Sequence, residues 1–323
     1  MVFDRRAALA LPFAALAAPS VLRAQQDRFP SRPITVLVPF PPGGATDVQM
    51  RAMAEPATRA FGQTIIVENK PGAGSTLGAS TVARAQPDGY LLTQMTLPCL
   101  RLPWMQQMPF DPRTDFTPII HLTGYLFGVV VRADGPYRTW QDLVADARRR
   151  PGRVRIGNTG ANGTPHLTVV DLAEREKLDV IHVPFRGEGD AAPQLLGGHI
   201  EALAAGSGVG QLVNEGKLRF LNFWSRERSE RWPEVPTLVE LGYDGMVVTS
   251  PYGLCGPAKM DPALVKALHD GLKRALFDPQ HLAALKRLDQ TVEYLDSADY
   301  GRFMLEEIER EKRRVERLGL RTG

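Results

Sequence analysis

At 323 residues the chain is too long for one small domain and suits two compact units of roughly 150 residues each. With 43% hydrophobic and 23% charged residues and no low-complexity tract it reads as an ordinary globular sequence, which excludes disorder. The net charge is +3, and beyond the first 24 residues 36 basic groups face 35 acidic ones, which excludes electrostatic recruitment of nucleic acid.

The first 24 residues read as an export signal: Arg5 and Arg6, an apolar stretch from Ala7 to Leu22 broken by Pro12 and Pro19, then the small residue Ala24. The stretch is shorter than the roughly 20 apolar residues a spanning helix needs. The arginine pair is similar to a twin-arginine signal, but Asp4 precedes it and Ala7 to Ala10 lack an aromatic residue, so the twin-arginine and general secretory routes both stay open.

From Ile34 short β-branched runs alternate with helical stretches, the signature of an α/β fold with mostly parallel sheets flanked by helices. ITVLVPF (34–40) is a buried-strand run that ends in the Pro/Gly loop PPGG. A helix follows from near Thr46, which has capping-box spacing to Gln49 and a stop at Gly62. The plan repeats with a strand over 63–68, a glycine turn over 72–74, a helix from about Ser75 to Ala85 and a turn at PDGY (87–90). VRIGNTGANGTPHL restarts it in a second lobe, with Thr164 expected as N-cap and Pro165 as first helical residue. DVIHVPFRGEGDAAPQLLGG echoes the first strand and loop, with a helix opened by Asp190. Three helices are expected over about 261–277, 279–288 and 297–318. The last carries an apolar stripe of Tyr300, Met304, Ile308, Val315 and Leu318, and its Glu/Arg-rich side reads as solvated.

Four strand, glycine loop, helix units put backbone N–H groups at helix starts, where unpaired donors and the positive end of the helix dipole attract anions. Thr46, Ser75, Thr159 and Thr164 add hydroxyls. One such loop alone is a routine α/β connection. PPGGATD lacks the ending of a P-loop and no loop reads GxGxxG, which argues against nucleotide binding.

VPFPPGGATD, VENKPGAGST, PDGY, MPFDPRTDFTPI, VPFRG, LLGGHIEAL, GKLRFL and PEVPTLVELG, in that order, resemble the substrate-binding family of tripartite tricarboxylate transporters, the Bug-type receptors. The resemblance implies a two-lobed periplasmic binding protein of the Venus flytrap, type II-like form, joined by crossing strands. By boundary, 1–24 is the export signal, 25–124 and 249–323 form lobe 1, and 125–248 forms lobe 2. It also implies a small organic acid as ligand, tripartite tricarboxylate-type membrane transporter subunits as partners, no nucleic acid, no cofactor or metal, and a monomer in the periplasm.

Carried over by motif, the ligand contacts are Phe40, Pro41, Gly43, Gly44, Thr46 and Asp47 on the first loop, with Ala73, Gly74 and Ser75 on the next. The second lobe offers Thr159, Gly160, Ala161, Gly163, Thr164 and His166. Asp47 has two readings, a helix-start stabiliser or a group meeting an amine or bridging water. Arg186 is given no main contact. Two departures bear on ligand choice: TLPCLRLPW (96–104) replaces a small polar stretch, with Leu97, Cys99 and Leu102 read as core, and ALAAGSG (202–208) lacks an acidic residue often found after this strand, which argues against amino-acid ligands.

Catalysis finds no signature. GxSxG is absent, and His121, His166, His182, His199, His269 and His281 show no metal-ligand spacing. Cys99 and Cys255 read as separate buried thiols rather than a redox or zinc pair. A ligand sensor for a membrane signalling system is the first alternative, and a periplasmic hydrolase with a spatially assembled triad the second.

Overall fold

The computed structural model describes residues 29–249 and 251–320, so the expected export signal lies outside the described residues. In chain order come β1 (Ile34–Val38), α1 (Ala45–Phe61), β2 (Ile65–Asn69), a 3-10 turn Ala73–Ser75, α2 (Leu77–Val82), β3 (Leu91–Met95), α3 (Leu97–Arg101) and β4 (Phe116–Gly124). They are followed by β5 (Phe127–Arg132), α4 (Trp140–Arg149), β6 (Arg155–Thr159), α5 (Thr164–Glu176), β7 (Ile181–Phe185), α6 (Glu188–Leu196), β8 (Ala202–Gly206), α7 (Gly210–Asn214) and β9 (Leu218–Phe223). The chain ends through β10 (Pro251–Pro257), α8 (Pro262–Leu276), α9 (Pro279–Arg287), β11 (Val292–Leu295) and α10 (Ser297–Arg317).

Two mixed sheets result, ordered β11-β4-β10-β3-β1-β2 and β7-β6-β8-β5-β9. The βα units pair in parallel, β1 with β2 and β3, and β6 with β7 and β8. Antiparallel strands complete each sheet, β10 between β3 and β4, and β5 between β8 and β9. The chain passes between the sheets twice, from β4 to β5 around Tyr125 and from β9 back to β10. Helices on both faces explain the burial: successive residues Val36, Leu37 and Val38 of the first sheet and Ala202 to Ala205 of the second are all buried.

Helix starts depart from the sequence reading in a consistent way. The N-caps of α1 and α5 are Gly44 and Gly163, neither helix has a side-chain cap, and Thr46 and Thr164 fall inside the first turn. α6 opens at Glu188, ahead of Asp190. The helix expected from about Ser75 begins only at Leu77 as the short α2, because Ser75 itself sits at φ 68 and closes the 3-10 turn Ala73–Ser75. By contrast α8, α9 and α10 are capped by Asp261, Asp278 and Asp296, and α4 by a Thr139/Asp142 capping box. α8, α9 and α10 lie within the expected spans, and the uncapped glycine starts of α1 and α5 stand at contacts with the other lobe.

The charged side of α10 is not wholly solvated. Its apolar residues Tyr300, Met304, Ile308 and Val315 are buried as expected, but Glu307 and Glu311 are buried too. Glu311 pairs with the fully buried Arg101 at the end of α3. From the same helix Arg314 reaches Asp171 of α5 at 2.8 Å and Arg317 reaches it at 2.5 Å. The helix therefore ties the first sheet to the second.

Candidate ligand-binding site

Asp47 holds the first loop. Its Oδ2 accepts from the Gly43 amide at 2.9 Å, and its Oδ1 accepts from Arg51 Nε at 2.9 Å and Asn69 Nδ2 at 2.8 Å. Asn69 Nδ2 also donates to the Phe40 carbonyl at 3.0 Å, which closes the turn. Burial alone would raise the Asp47 pKa, but these donors outweigh it and hold the carboxyl below its ordinary range. Its oxygens are thus engaged in shaping the loop. Thr46 Oγ1 lies 2.5 Å from the Tyr125 hydroxyl, fixing the start of α1 against the crossing between the sheets.

On the second loop Ser75 Oγ stands 3.2 Å from Thr96 Oγ1, while Ala73 and Gly74 are exposed. The segment TLPCLRLPW forms α3 and a further 3-10 turn, and Leu97, Cys99 and Leu102 are core. Cys99 and Cys255 are both buried and unbridged.

On the β6–α5 loop a Cβ at Gly163 would stand 2.7 Å from the Thr159 carbonyl oxygen, so the turn closes only around glycine. His166 Nδ1 accepts from the Asn162 amide at 3.0 Å, which leaves the ring proton on Nε2. Burial, then His182 at 4.8 Å between ring centres, then Arg101 push the His166 pKa down to about 4, so the ring is neutral at pH 7.

The lobes meet at this set of loops. A Cβ at Gly187 would lie 3.8 Å from Pro41, and one at Gly208 would lie 3.2 Å from the Ala45 Cβ at the first residue of α1. From the first lobe Arg101 Nη1 donates to the Asn162 carbonyl at 2.6 Å, and its Nη2 has no partner. Further links run from Ser229 Oγ to Asp289 Oδ2 at 2.6 Å and from Arg231 Nη1 to the Arg287 carbonyl at 2.6 Å. The lobes are therefore in contact at several separate points around these loops. Pro41 and Ala45 meet the second lobe at the β7–α6 turn and just past the end of β8, whereas the Asn162 carbonyl meets Arg101 of α3.

Sequence reasoning missed three groups here: Arg101, Tyr125 and Glu188. Glu188 follows the glycine of VPFRG, and its Oε1 accepts from the Gly206 amide at 2.6 Å. Burial drives its pKa up to about 7 against the opposing effect of that bond. Arg186 is exposed on the same turn.

The arrangement can hold an anion on backbone and hydroxyl donors. Among the described residues no group of three or more His, Cys, Asp or Glu could hold a metal. His121, His166, His269 and His281 bond to backbone groups, Gln49, Asp270 and Tyr294, and none of these bonds involves a serine or cysteine. A separate cavity of about 350 Å³ lies between α5, His182 and the end of α10 and includes none of the expected contacts.

Residues 49–320 match the model of the tripartite tricarboxylate transporter family receptor. The UPF0065 protein in the gbd 5' region of Cupriavidus necator is 41% identical over 98% of this chain and 97% of its own length. BugT of Bordetella pertussis is 31% identical over 77% of this chain and 78% of its own. Among solved structures, the periplasmic binding protein BugD superposes with a TM-score of 0.86 at 27% identity, covering 91% of this chain and all of that one. MatC from Rhodopseudomonas palustris with bound malate superposes with a TM-score of 0.82 at 28% identity, covering 89% of this chain and all of that one.

Proposed function

The chain belongs to the tripartite tricarboxylate transporter receptor family, and from that premise we propose that it captures a small organic carboxylate between its lobes and presents it to membrane transporter subunits. The observation that carries the reading is the pair of glycine-capped helices. α1 and α5 begin without a side-chain cap, each at a lobe contact, so their first-turn N–H groups remain available to an anion. Malate bound to MatC is the kind of molecule such donors suit.

On this reading the contacts are Phe40, Pro41, Gly43, Gly44 and Thr46 with Ala73, Gly74 and Ser75 from one lobe. Thr159, Gly160, Ala161, Gly163, Thr164 and His166 come from the other. Asp47 acts by holding the first loop. Lobe 1 comprises residues 25–124 and 249–323 and lobe 2 residues 125–248. Residues 1–24 direct export to the periplasm, where the receptor acts as a monomer and catalyses no reaction. Closure shifts a pre-existing open/closed equilibrium, and the closed form is what the transporter reads.

The test is a thermal-stability screen of the mature, ligand-free chain against small mono-, di- and tricarboxylates. A binder at 100 times its Kd adds about 2.7 kcal/mol of stability. Folded protein that no acid stabilises would overturn the reading.

A further inference from the structure

Glu188 lies where three elements converge. It opens α6, its Oε1 is held by the Gly206 amide at 2.6 Å, and its Oε2 lies 2.2 Å from where a Cβ at Gly208 would stand. The Gly208 position in turn stands 3.2 Å from the Ala45 Cβ, so the carboxylate sits at the seam between the end of β8 and the start of α1. No lysine, arginine or histidine pairs with it among the described residues. The titratable group that feels its charge is Tyr125 from the crossing segment.

Tyr125, the group that feels Glu188, belongs to a polar cluster with spare capacity. The Tyr125 hydroxyl bonds Thr46 and the Gln94 side chain, while Gln94 Oε1 and the Tyr252 hydroxyl, both at least 99% buried, lack partners. The rings of Tyr125 and Tyr252 pack edge to face at 5.9 Å. A half-buried carboxylate without a cation partner repels a second carboxylate brought against it, and it is satisfied by a hydroxyl or ammonium donor. Gly206 to Gly208 is the stretch that carries no acid of its own, so Glu188 supplies one there through space.

We propose that Glu188 selects the ligand: its carboxylate accepts a hydrogen bond from a hydroxyl or ammonium group on the bound acid, so the crevice prefers a donor-bearing carboxylate over a plain one of equal length. This rests on the carboxylate-capture reading above. A site that hydrogen-bonds a ligand group discriminates strongly against the analogue lacking it, because the buried partner is left unpaired.

The experiment is titration calorimetry at pH 8 on the mature chain with matched acids: L-malate and L-aspartate against succinate, L-lactate against propionate, and L-mandelate against phenylacetate. In whichever set binds, the donor-bearing acid should bind at least about ten-fold tighter, with malate and aspartate separating hydroxyl from ammonium. Glu188→Gln keeps the size and the Gly206 contact but removes the charge, and should bring the ratio close to one. A plain acid binding as tightly as its donor-bearing partner, or a ratio unchanged in the variant, overturns the proposal. The wild-type comparison stands even where the variant does not fold. Binding of none of these acids, with other carboxylates still stabilising the chain in the screen, overturns this selection rule alone; stabilisation by no carboxylate removes the capture reading as well.

Discussion

Glu188→Gln makes a prediction about the ligand-free protein that is independent of what it binds. Burial raises the Glu188 pKa from an ordinary 4.5 to about 7, opposed by the Gly206 amide. Each pKa unit corresponds to about 1.4 kcal/mol, so the folded state loses on the order of 3 kcal/mol as the group is forced to ionise. The sign follows from a raised pKa: the stability is fully present below pH 4.5 and is lost as pH rises towards 7. The Gln variant has nothing to titrate, and Tyr125, the neighbour that feels the charge, is itself pushed above its ordinary pKa by burial. The two proteins should therefore be near equal at pH 4.5 to 5, and the variant should melt higher at pH 8, by on the order of 5 °C for a chain of this size. Scanning calorimetry from pH 4.5 to pH 8.5 measures both profiles. Curves that stay parallel across that window would refute the claim that a half-buried carboxylate without a cation partner stands at the contact between the lobes.

Three further outcomes follow from named contacts. Arg101→Met strands Glu311 in a buried setting and should cost about 3 kcal/mol in urea unfolding, the low end for such pairs because Arg314 stands 3.7 Å from Glu311, while adding Glu311→Leu should recover most of the loss. Asp171→Asn weakens the grip of Arg314 and Arg317 across the lobes and should raise the radius of gyration in small-angle scattering while loosening ligand binding a few-fold, about 1 kcal/mol. Gly44→Val should weaken carboxylate binding by roughly ten-fold or more in calorimetry, about 1.4 kcal/mol, with little change in melting temperature, since φ −74 and ψ 166 suit valine and its Cβ would meet only the Pro41 oxygen at 3.8 Å.

Much of this architecture was legible because it is local. Asp-Pro pairs at 261–262 and 278–279 mark helix starts by chemistry contained in a few residues, and the structure begins α8 and α9 at those prolines. The glycine loops were legible as loops, but their caps were not. Thr46 and Thr164 are good capping residues, yet both lie in the first turn, because a glycine before each takes the cap in extended backbone and leaves the donors open. What stayed hidden was through-space pairing. The stripe on α10 gave its apolar face, but nothing in its periodicity says that Glu311 meets Arg101, 210 residues earlier in the chain. The missing acid after β8 counted against amine-bearing ligands, while Glu188 brings a carboxylate to Gly206 from 18 residues upstream. The available signal was an acid placed directly after the glycine of a loop already suspected of binding.

The place of β10 in the first sheet bears on how the chain is assembled. It lies between β3 and β4, which do not pair with each other, so the central seam of that sheet stays open until residue 257 is available. The second sheet draws all five strands from one continuous stretch, Phe127 to Phe223. During synthesis from the N-terminus the later-encoded sheet can therefore close first, leaving β1, β2 and β3 as an unfinished three-stranded edge that waits for the chain to return. On the export reading proposed above, a delay in folding would serve this order, and the unpaired edge of β3 is the surface a holding chaperone would find.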